Sequence, residues 1–252
     1  MILVLAGTID GRQIAEALTK NNYKCIVSVF GENAVSLIEG QNVVSGGMNY
    51  NEMLKFFDEN EITTVVDATH PFAIDVSQNA ILACKDANIN YIRFERESIN
   101  NNYSNITLFS SHQEVIDKLN QTNENIFLTI GTKSLDLYTK GINGLNRLTA
   151  RVLSDTKSVE KCVSLGLNPK QIVAVCGAFS AQFNHQMFLE FGAKVVVTKE
   201  SGTVGGLLEK IEAAKMLNIP IYIVKRPKVE YPFVVDTFNG VLEEVSKWEK
   251  QF

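Results

Sequence analysis

The sequence predicts an α/β protein made of two doubly wound parallel-sheet domains with a cleft between them. Three observations predict it. Short apolar runs alternate with amphipathic stretches along almost the whole chain, the pattern of buried strands and surface helices. Helix-length segments separate successive strand-like runs, and parallel neighbours need such right-handed crossovers. The alternation breaks once, at the polar, asparagine-rich stretch 98–105 (SINNNYSN), which reads as a linker. A chain of 252 residues is long for one domain of this kind and comfortable for two. We therefore place the domains at residues 1–100 and 101–252.

Residues 2–6 (ILVLA) read as a buried strand, and 10–20 as a helix with Ile14 and Leu18 one turn apart on one face. Strands follow at 24–30 (KCIVSVF) and 42–45, a helix at 50–59, and a strand at 62–67 (ITTVVD). A helix spans about 74–88. Pro71 suits its start, because a helix has no use for the missing N–H there. Asp67 or Thr69 could cap it. A strand at 90–94 (NYIRF) closes the first half. In the second half, strands fall at 125–130, 147–153, 171–176, 193–198 and 220–224, with helices between them. No repeat of fixed period relates the halves.

Composition narrows the function. With 45% hydrophobic and 21% charged residues the chain can bury a full core. A net charge of −4 argues against nucleic acid or an anionic membrane as a partner. No apolar run approaches the ~18 residues of a membrane span. The N-terminal MILVLAG has neither a basic leader nor a cleavage site, so it reads as a core strand and the expected location is cytoplasmic. Cys25, Cys84, Cys162 and Cys176 lie far apart in apolar patterns, as reduced core thiols would, and form no metal-type pair. No metal site is expected.

In open parallel sheets, ligands bind beyond the carboxyl ends of the strands, near the point where strand order reverses. The loops there are unusual in this chain. In AGTIDGR, Gly7 allows close approach, Thr8 offers a hydroxyl, and Gly11 lets the helix pack near the sheet; Asp10 and Arg12 complete the turn. A helix start aimed this way suits a phosphate, although the motif is not GxGxxG and a plain strand-to-helix turn is the alternative. In VVDATHPFA, capping accounts for Asp67, Thr69 and Pro71 but leaves His70 without a role; a structural histidine is the alternative. Three further loops line up hydroxyls, glycines and cations: TIGTKSL with Gly131, Thr132 and Lys133, CGAFSAQFN with Gly177 and Ser180, and VTKESGTVGG with Lys199, Ser201 and Gly202. The only arginines, Arg12, Arg93, Arg96, Arg147, Arg151 and Arg226, all lie in or beside strands or these loops. Their planar forks suit carboxylates and phosphates, which points to a ligand with many acidic groups. Strand-end salt bridges, for instance of Arg93 or Arg96 with Glu95 or Glu97, are the alternative. His112 and His185 read as helix residues without a role.

The motifs GTIDGRQIA, VVDATHPFA with Ser77 and Asn79, YIRFERE, LTIGTKSL, GAFSAQFN and VTKESG, in this order, resemble those of the precorrin-6A reductase family. That family includes the cobalt-precorrin-6A reductases of the anaerobic cobalamin pathway. The similarity runs from Met1 to about Pro227, and DATHPFA and VTKESG are its specific parts. It implies two Rossmann-like domains, NADH or NADPH as cofactor, and reduction of one double bond in a tetrapyrrole bearing acetate and propionate arms. Any cobalt would belong to the substrate. The sequence departs from the family at Ala6, where a second glycine is common, and at Ala178, where proline is common.

On this resemblance Gly7, Thr8, Asp10, Gly11, Arg12 and Thr69 hold the cofactor in the first domain. His70 contacts the substrate or supplies a proton. Ser77, Asn79, Gly131, Thr132, Lys133, Arg151, Ser180, Lys199, Ser201 and Gly202 face the tetrapyrrole in the cleft. Transient contact with other corrin-pathway enzymes is the one protein partnership it implies. In dinucleotide folds an acid ~20 residues past the glycine turn bonds the ribose 2′-hydroxyl of NAD, whereas arginine suits the 2′-phosphate of NADP. Glu32, in SVFGENA, falls near that position where relatives carry Arg, so the expectation leans to NADH; a capping role for Glu32 is the alternative. A reductase for another small acidic substrate, or a non-catalytic dinucleotide sensor, are the competing functions.

Overall fold

The computed structural model describes residues 1–30, 42–96, 103–201 and 205–249. The chain divides into two compact units, Met1–Glu97 with Pro227–Phe252, and Ser98–Arg226.

The first unit contains β1 (Ile2–Leu5), α1 (Ile9–Lys20), β2 (Cys25–Val29), β3 (Asn42–Ser45), α2 (Tyr50–Glu59), β4 (Thr64–Asp67), α3 (Ile74–Asp86) and β5 (Asn90–Phe94). Its sheet is parallel throughout, and β1 lies between β4 and β2. Successive side chains of β1 point to opposite faces, as the strand period of two requires. Ile2 and Val4 pack with Ile14 and Leu18 of α1, while Leu3 and Leu5 pack with Met53 and Phe57 of α2 and Ala80 and Ala83 of α3. Burial on both faces explains why the strand reads as a continuous apolar run. Asn49 and Glu52 form a reciprocal capping box that starts α2.

The second unit contains β6 (Ile106–Phe109), α4 (His112–Leu119), β7 (Ile126–Thr129), α5 (Leu135–Gly141), β8 (Leu148–Val152), α6 (Thr156–Ser164), β9 (Ile172–Ala174), α7 (Ala181–Glu190), β10 (Val195–Lys199), α8 (Leu207–Met216) and β11 (Ile221–Val224). Here β7 is central, between β10 and β8, and every pairing is again parallel. Five strands of each sheet share one order. They run outward from a central strand, β1 or β7, and the order reverses beside it, between β1 and β4 in the first unit and between β7 and β10 in the second. The sixth strand of the second sheet, β6, precedes these five in the chain and lies at the edge beside β11. A sequence without a visible repeat thus folds twice into one five-strand order.

Several expectations need correction. Residues after 226 do not continue the second domain. They form β12 (Val234–Val235) and α9 (Phe238–Glu249), which return to the first unit. Arg93 N donates to Phe233 O at 2.8 Å and Glu95 N to Val235 O at 2.9 Å, adding β12 to β5. Val241 and Val245 of α9 join the core around Ile14 and Leu18. The linker is shorter than 98–105 on its C-terminal side. Tyr103 donates its hydroxyl to Ile219 O at 3.0 Å, and Ile221 N donates to Asn105 O at 3.0 Å, so both residues belong to the second unit. Strand β9 ends at Ala174, and Cys176 beyond it is an exposed thiol and not a core one. Among the described residues no helix is long and apolar enough to cross a membrane, and no cluster could hold a metal ion.

Candidate functional site

In the first unit two turns meet where strand order reverses. Thr8 is the N-cap of α1, its Oγ1 accepting from Gly11 N at 3.3 Å. The same hydroxyl donates to Ala68 O at 3.2 Å, tying the turn after β1 to the turn after β4. The glycines make this approach possible. A Cβ on Gly7 would lie 3.1 Å from Thr69 Cα and His70 N, and one on Gly11 would lie 2.6 Å from Ala6 Cα. Asp10 is buried and pairs with Arg96 at 2.7 Å, and the Arg96 guanidinium lies 5.3 Å from the centre of the Phe238 ring. Arg12, half-buried in the first turn of α1, has no hydrogen bond or ion pair with a described residue. Glu32 lies outside the described residues.

The turn after β4 rests on a buried polar network. Asp67 is fully buried; its Oδ1 accepts from Thr69 N (3.0 Å), Thr69 Oγ1 (2.7 Å) and Arg93 Nη1 (2.9 Å), and its Oδ2 from the Tyr91 hydroxyl (2.7 Å). Arg93, 1% exposed, also donates to Thr69 Oγ1 at 3.0 Å and lies 5.0 Å from the Tyr231 ring centre. Burial works to lower the Arg93 pKa, but Asp67, Tyr231 and Glu95 more than offset it and hold the guanidinium above its usual range. Tyr91 is pushed up, first by burial and then by Asp67, so its phenol stays a donor. Ser77, also buried, sits 3.3 Å from Thr69 Oγ1. Asp67 and Thr69 are therefore not caps. Helix α3 starts after Ala73 without a side-chain cap, and the carboxylate is spent on the network. The hydroxyls of Thr69 and Ser77 are engaged within the protein, while Asn79 is half-buried on α3.

His70 stands on top of this network. Its carbonyl accepts from Ala73 N at 2.8 Å, closing a turn through Pro71 and Phe72. Its Nδ1 accepts from Phe72 N at 3.2 Å. In the neutral ring the proton is thereby assigned to Nε2, which makes that nitrogen a donor.

In the second unit Gly131 turns the chain after β7 with φ +72°, in the left-handed region that favours glycine. Thr132 O accepts from Leu135 N at 3.3 Å as α5 begins, and Lys133 is exposed beside Lys199. Ser180 caps α7, its hydroxyl accepting from Phe183 N at 3.2 Å. Ser201 N donates to Lys199 O at 2.8 Å, and a side chain at Gly205 would collide with Ser201. Gly202 lies outside the described residues.

Several cations gather here. Arg151 donates Nη1 to Asn184 Oδ1 at 2.7 Å and lies 5.5 Å from the centre of the Phe179 ring; burial pushes its pKa down to about 10. Asn184 is itself fixed, its Nδ2 donating to Phe179 O and Ser180 O at 3.0 and 2.9 Å. Lys199, the last residue of β10, is lowered by burial and then by Lys133. Lys210 on α8 is 5% exposed and donates Nζ to Gly205 O at 2.8 Å and to Thr198 Oγ1 at 3.4 Å. Burial, then Arg151, push its pKa down to about 7; Glu209 opposes the shift and Lys199 adds to it. His112 accepts or donates at Nδ1 to the Tyr138 hydroxyl at 2.9 Å and is pushed down to about 4 by burial and Lys199.

The arginines now sort by partner. Arg93, Arg96 and Arg226 pair with Asp67, Asp10 and Glu200, and Arg147 donates to the carbonyls of Leu119 and Thr122. Arg12 and Arg151 have no acid among the described residues. Sequence reasoning passed over Lys210, whose spacing from Leu207, Ile211 and Ala214 puts it on the apolar face of α8. It also passed over the Asp67–Arg93–Tyr91 network, which only the pairing of β4 with β5 brings together.

Comparison with known proteins follows the same outline. The profile of the precorrin-6x reductase family, CbiJ/CobK, matches residues 1–246. The chain is 39% identical over 246 residues to the cobalt-precorrin-6A reductase of Priestia megaterium, covering 96% of each. It is 34% identical over 253 residues to that of Methanothermobacter thermautotrophicus, covering 98% of this chain and 83% of the relative. The solved structure of a CobK precorrin-6A reductase superposes with a TM-score of 0.81 at 22% identity, over 98% of this chain and 96% of that one.

Proposed function

The chain belongs to the precorrin-6x reductase family, and from that premise we propose that it reduces precorrin-6A or its cobalt complex to the 6B form with a nicotinamide dinucleotide. The observation that carries this reading is a pair of cations, buried Lys210 and half-buried Arg151, that form no ion pair among the described residues. A macrocycle bearing acidic arms would satisfy them. The first unit fits the cofactor. The contacts that Gly7 and Gly11 allow bring the backbone of two turns together at the start of α1, and Arg12 stands beside it without an acid among the described residues. That is the arrangement in which helix starts take phosphates. When bound, the reduced nicotinamide supplies the hydride.

The protein's own groups do the rest. Gly7, Gly11 and Arg12 hold the dinucleotide, while Asp10, locked to Arg96, shapes the start of α1. The Asp67–Arg93 network fixes the turn that carries His70, which contacts the substrate or, in its protonated form, supplies the proton that the adjacent ring carbon takes up. Lys133, Arg151 and Lys199 clamp carboxylate arms. Glu32 is the proposed reader of the ribose and the reason for a lean to NADH.

Anaerobic spectrophotometry tests the reading: reduced cofactor should be oxidised only when the macrocycle is present. Cofactor oxidation indifferent to the macrocycle, or none with either dinucleotide, rejects it. A strong preference for NADPH would reject the role given to Glu32 alone, and otherwise Glu32→Arg should shift preference towards NADPH.

A further inference from the structure

We infer that Lys210 and Arg151 together form one carboxylate subsite, taking a single acidic arm of the substrate; this rests on the tetrapyrrole reading above. The donors can be counted. Lys210 has three N–H groups, of which two are committed to Gly205 O and Thr198 Oγ1. Arg151 has committed Nη1 to Asn184 Oδ1, and its remaining nitrogens have no hydrogen-bond partner among the described residues. What is left is a lone ammonium N–H that feels the charge of a guanidinium whose edge is open. The two oxygens of a carboxylate complement that set, with the guanidinium edge offering a planar fork.

The subsite is also built and not incidental. Asn184, 1% exposed, is anchored to two backbone carbonyls, so the group that orients Arg151 is itself rigid. The Phe179 ring, stacked on Phe183 with centres 4.8 Å apart, supports the guanidinium from one side. Arg151 helps to push the Lys210 pKa down, the cost of holding a second cation near it. An anion between them removes that cost, and the depressed affinity of Lys210 for its proton is the mark of a site made for one. Glu209 is not that anion. It opposes the shift in Lys210, but forms no ion pair with it and leaves Oε2 buried without a hydrogen bond.

The experiment uses the full chain and two probes, the octacarboxylate macrocycle uroporphyrin I and its octamethyl ester, with binding read by porphyrin fluorescence. The wild type should bind the acid and not the ester. Lys210→Met and Arg151→Met should each weaken acid binding roughly tenfold or more, as loss of a charge-assisted bond does. The double variant should lose little beyond the worse single one, because both cations serve one arm, and Lys210→Arg should restore most of the affinity. NADPH and NADH affinities should not change in any of them. Wild-type affinity in Lys210→Met, or losses that add fully in the double variant, overturn the subsite and leave the tetrapyrrole reading standing. A wild type that ignores both porphyrins overturns both together. Inorganic phosphate that displaces the porphyrin from the wild type and not from Lys210→Met would make this a phosphate site instead.

Discussion

Arg93 in the first unit and Arg151 in the second both lie on strands of sheets that share a five-strand order, and they have opposite surroundings. Arg93 faces a buried carboxylate at 2.9 Å and is held above its usual pKa. Arg151 faces an amide and an aromatic ring, and with Lys210 it is pushed down. A buried cation with an acid completes a structure. One without an acid holds an unfavourable charge until something anionic arrives. The difference gives Arg93 a part in building a turn and is what suggests Arg151 and Lys210 for the proposed binding role.

The sharpest break between the two should come from Arg93→Met. It strands the Asp67 carboxylate among Tyr91 and Thr69, and removing one partner of a buried pair costs about 3–5 kcal/mol. Urea unfolding should show that loss, and an unchanged midpoint would mean that the network supports nothing. His70→Ala should do the reverse. It leaves the network beneath intact, so the melting temperature should hold, while turnover falls about 10²–10⁴-fold, as for a positioned proton donor. A variant that keeps full turnover, or that merely unfolds, makes His70 structural.

The glycines of the two turns offer a smaller contrast. Gly11 is needed for space, since any Cβ meets Ala6, whereas Gly131 has nothing within 4 Å and is needed for its φ of +72°. Gly11→Ala should cost about 1–3 kcal/mol through overpacking. Gly131→Ala should cost about 1–2 kcal/mol through backbone strain, and Gly131→Asn less. Equal costs for Ala and Asn at Gly131 would contradict that cause. A further effect, visible only in acid, should lie with His112. Its pKa falls from 6.5 to about 4 on folding, so between those values the unfolded chain binds a proton that the folded one does not. Stability should therefore fall as pH drops through that window, be flat above it, and fall less in His112→Gln. Denaturation at pH values across the window would expose a slope of the wrong sign.

Much of this was legible because local patterns encode it. The buried strands read as apolar runs, and the turns proposed to face ligands stand out because hydroxyls and glycines follow the strands there. What stayed hidden depends on distant pairing. Nothing near residue 234 announces a two-residue strand beside β5, and β6 is an edge strand whose Leu108 is 55% exposed, so its apolar signal is weak. Arg96 finds Asp10, 86 positions away. Lys210 was legible in principle. It occupies an apolar-face position of α8, which a charge leaves only for a reason.

The central claim is that the second unit holds cations uncompensated for an acidic ligand. Ligand-free urea unfolding of Lys210→Met, beside Arg93→Met and the wild type, tests it most directly. An uncompensated cation replaced by a side chain of similar reach should leave the chain as stable as the wild type or more so, while Arg93→Met loses heavily. A loss in Lys210→Met as large as that in Arg93→Met would contradict the claim.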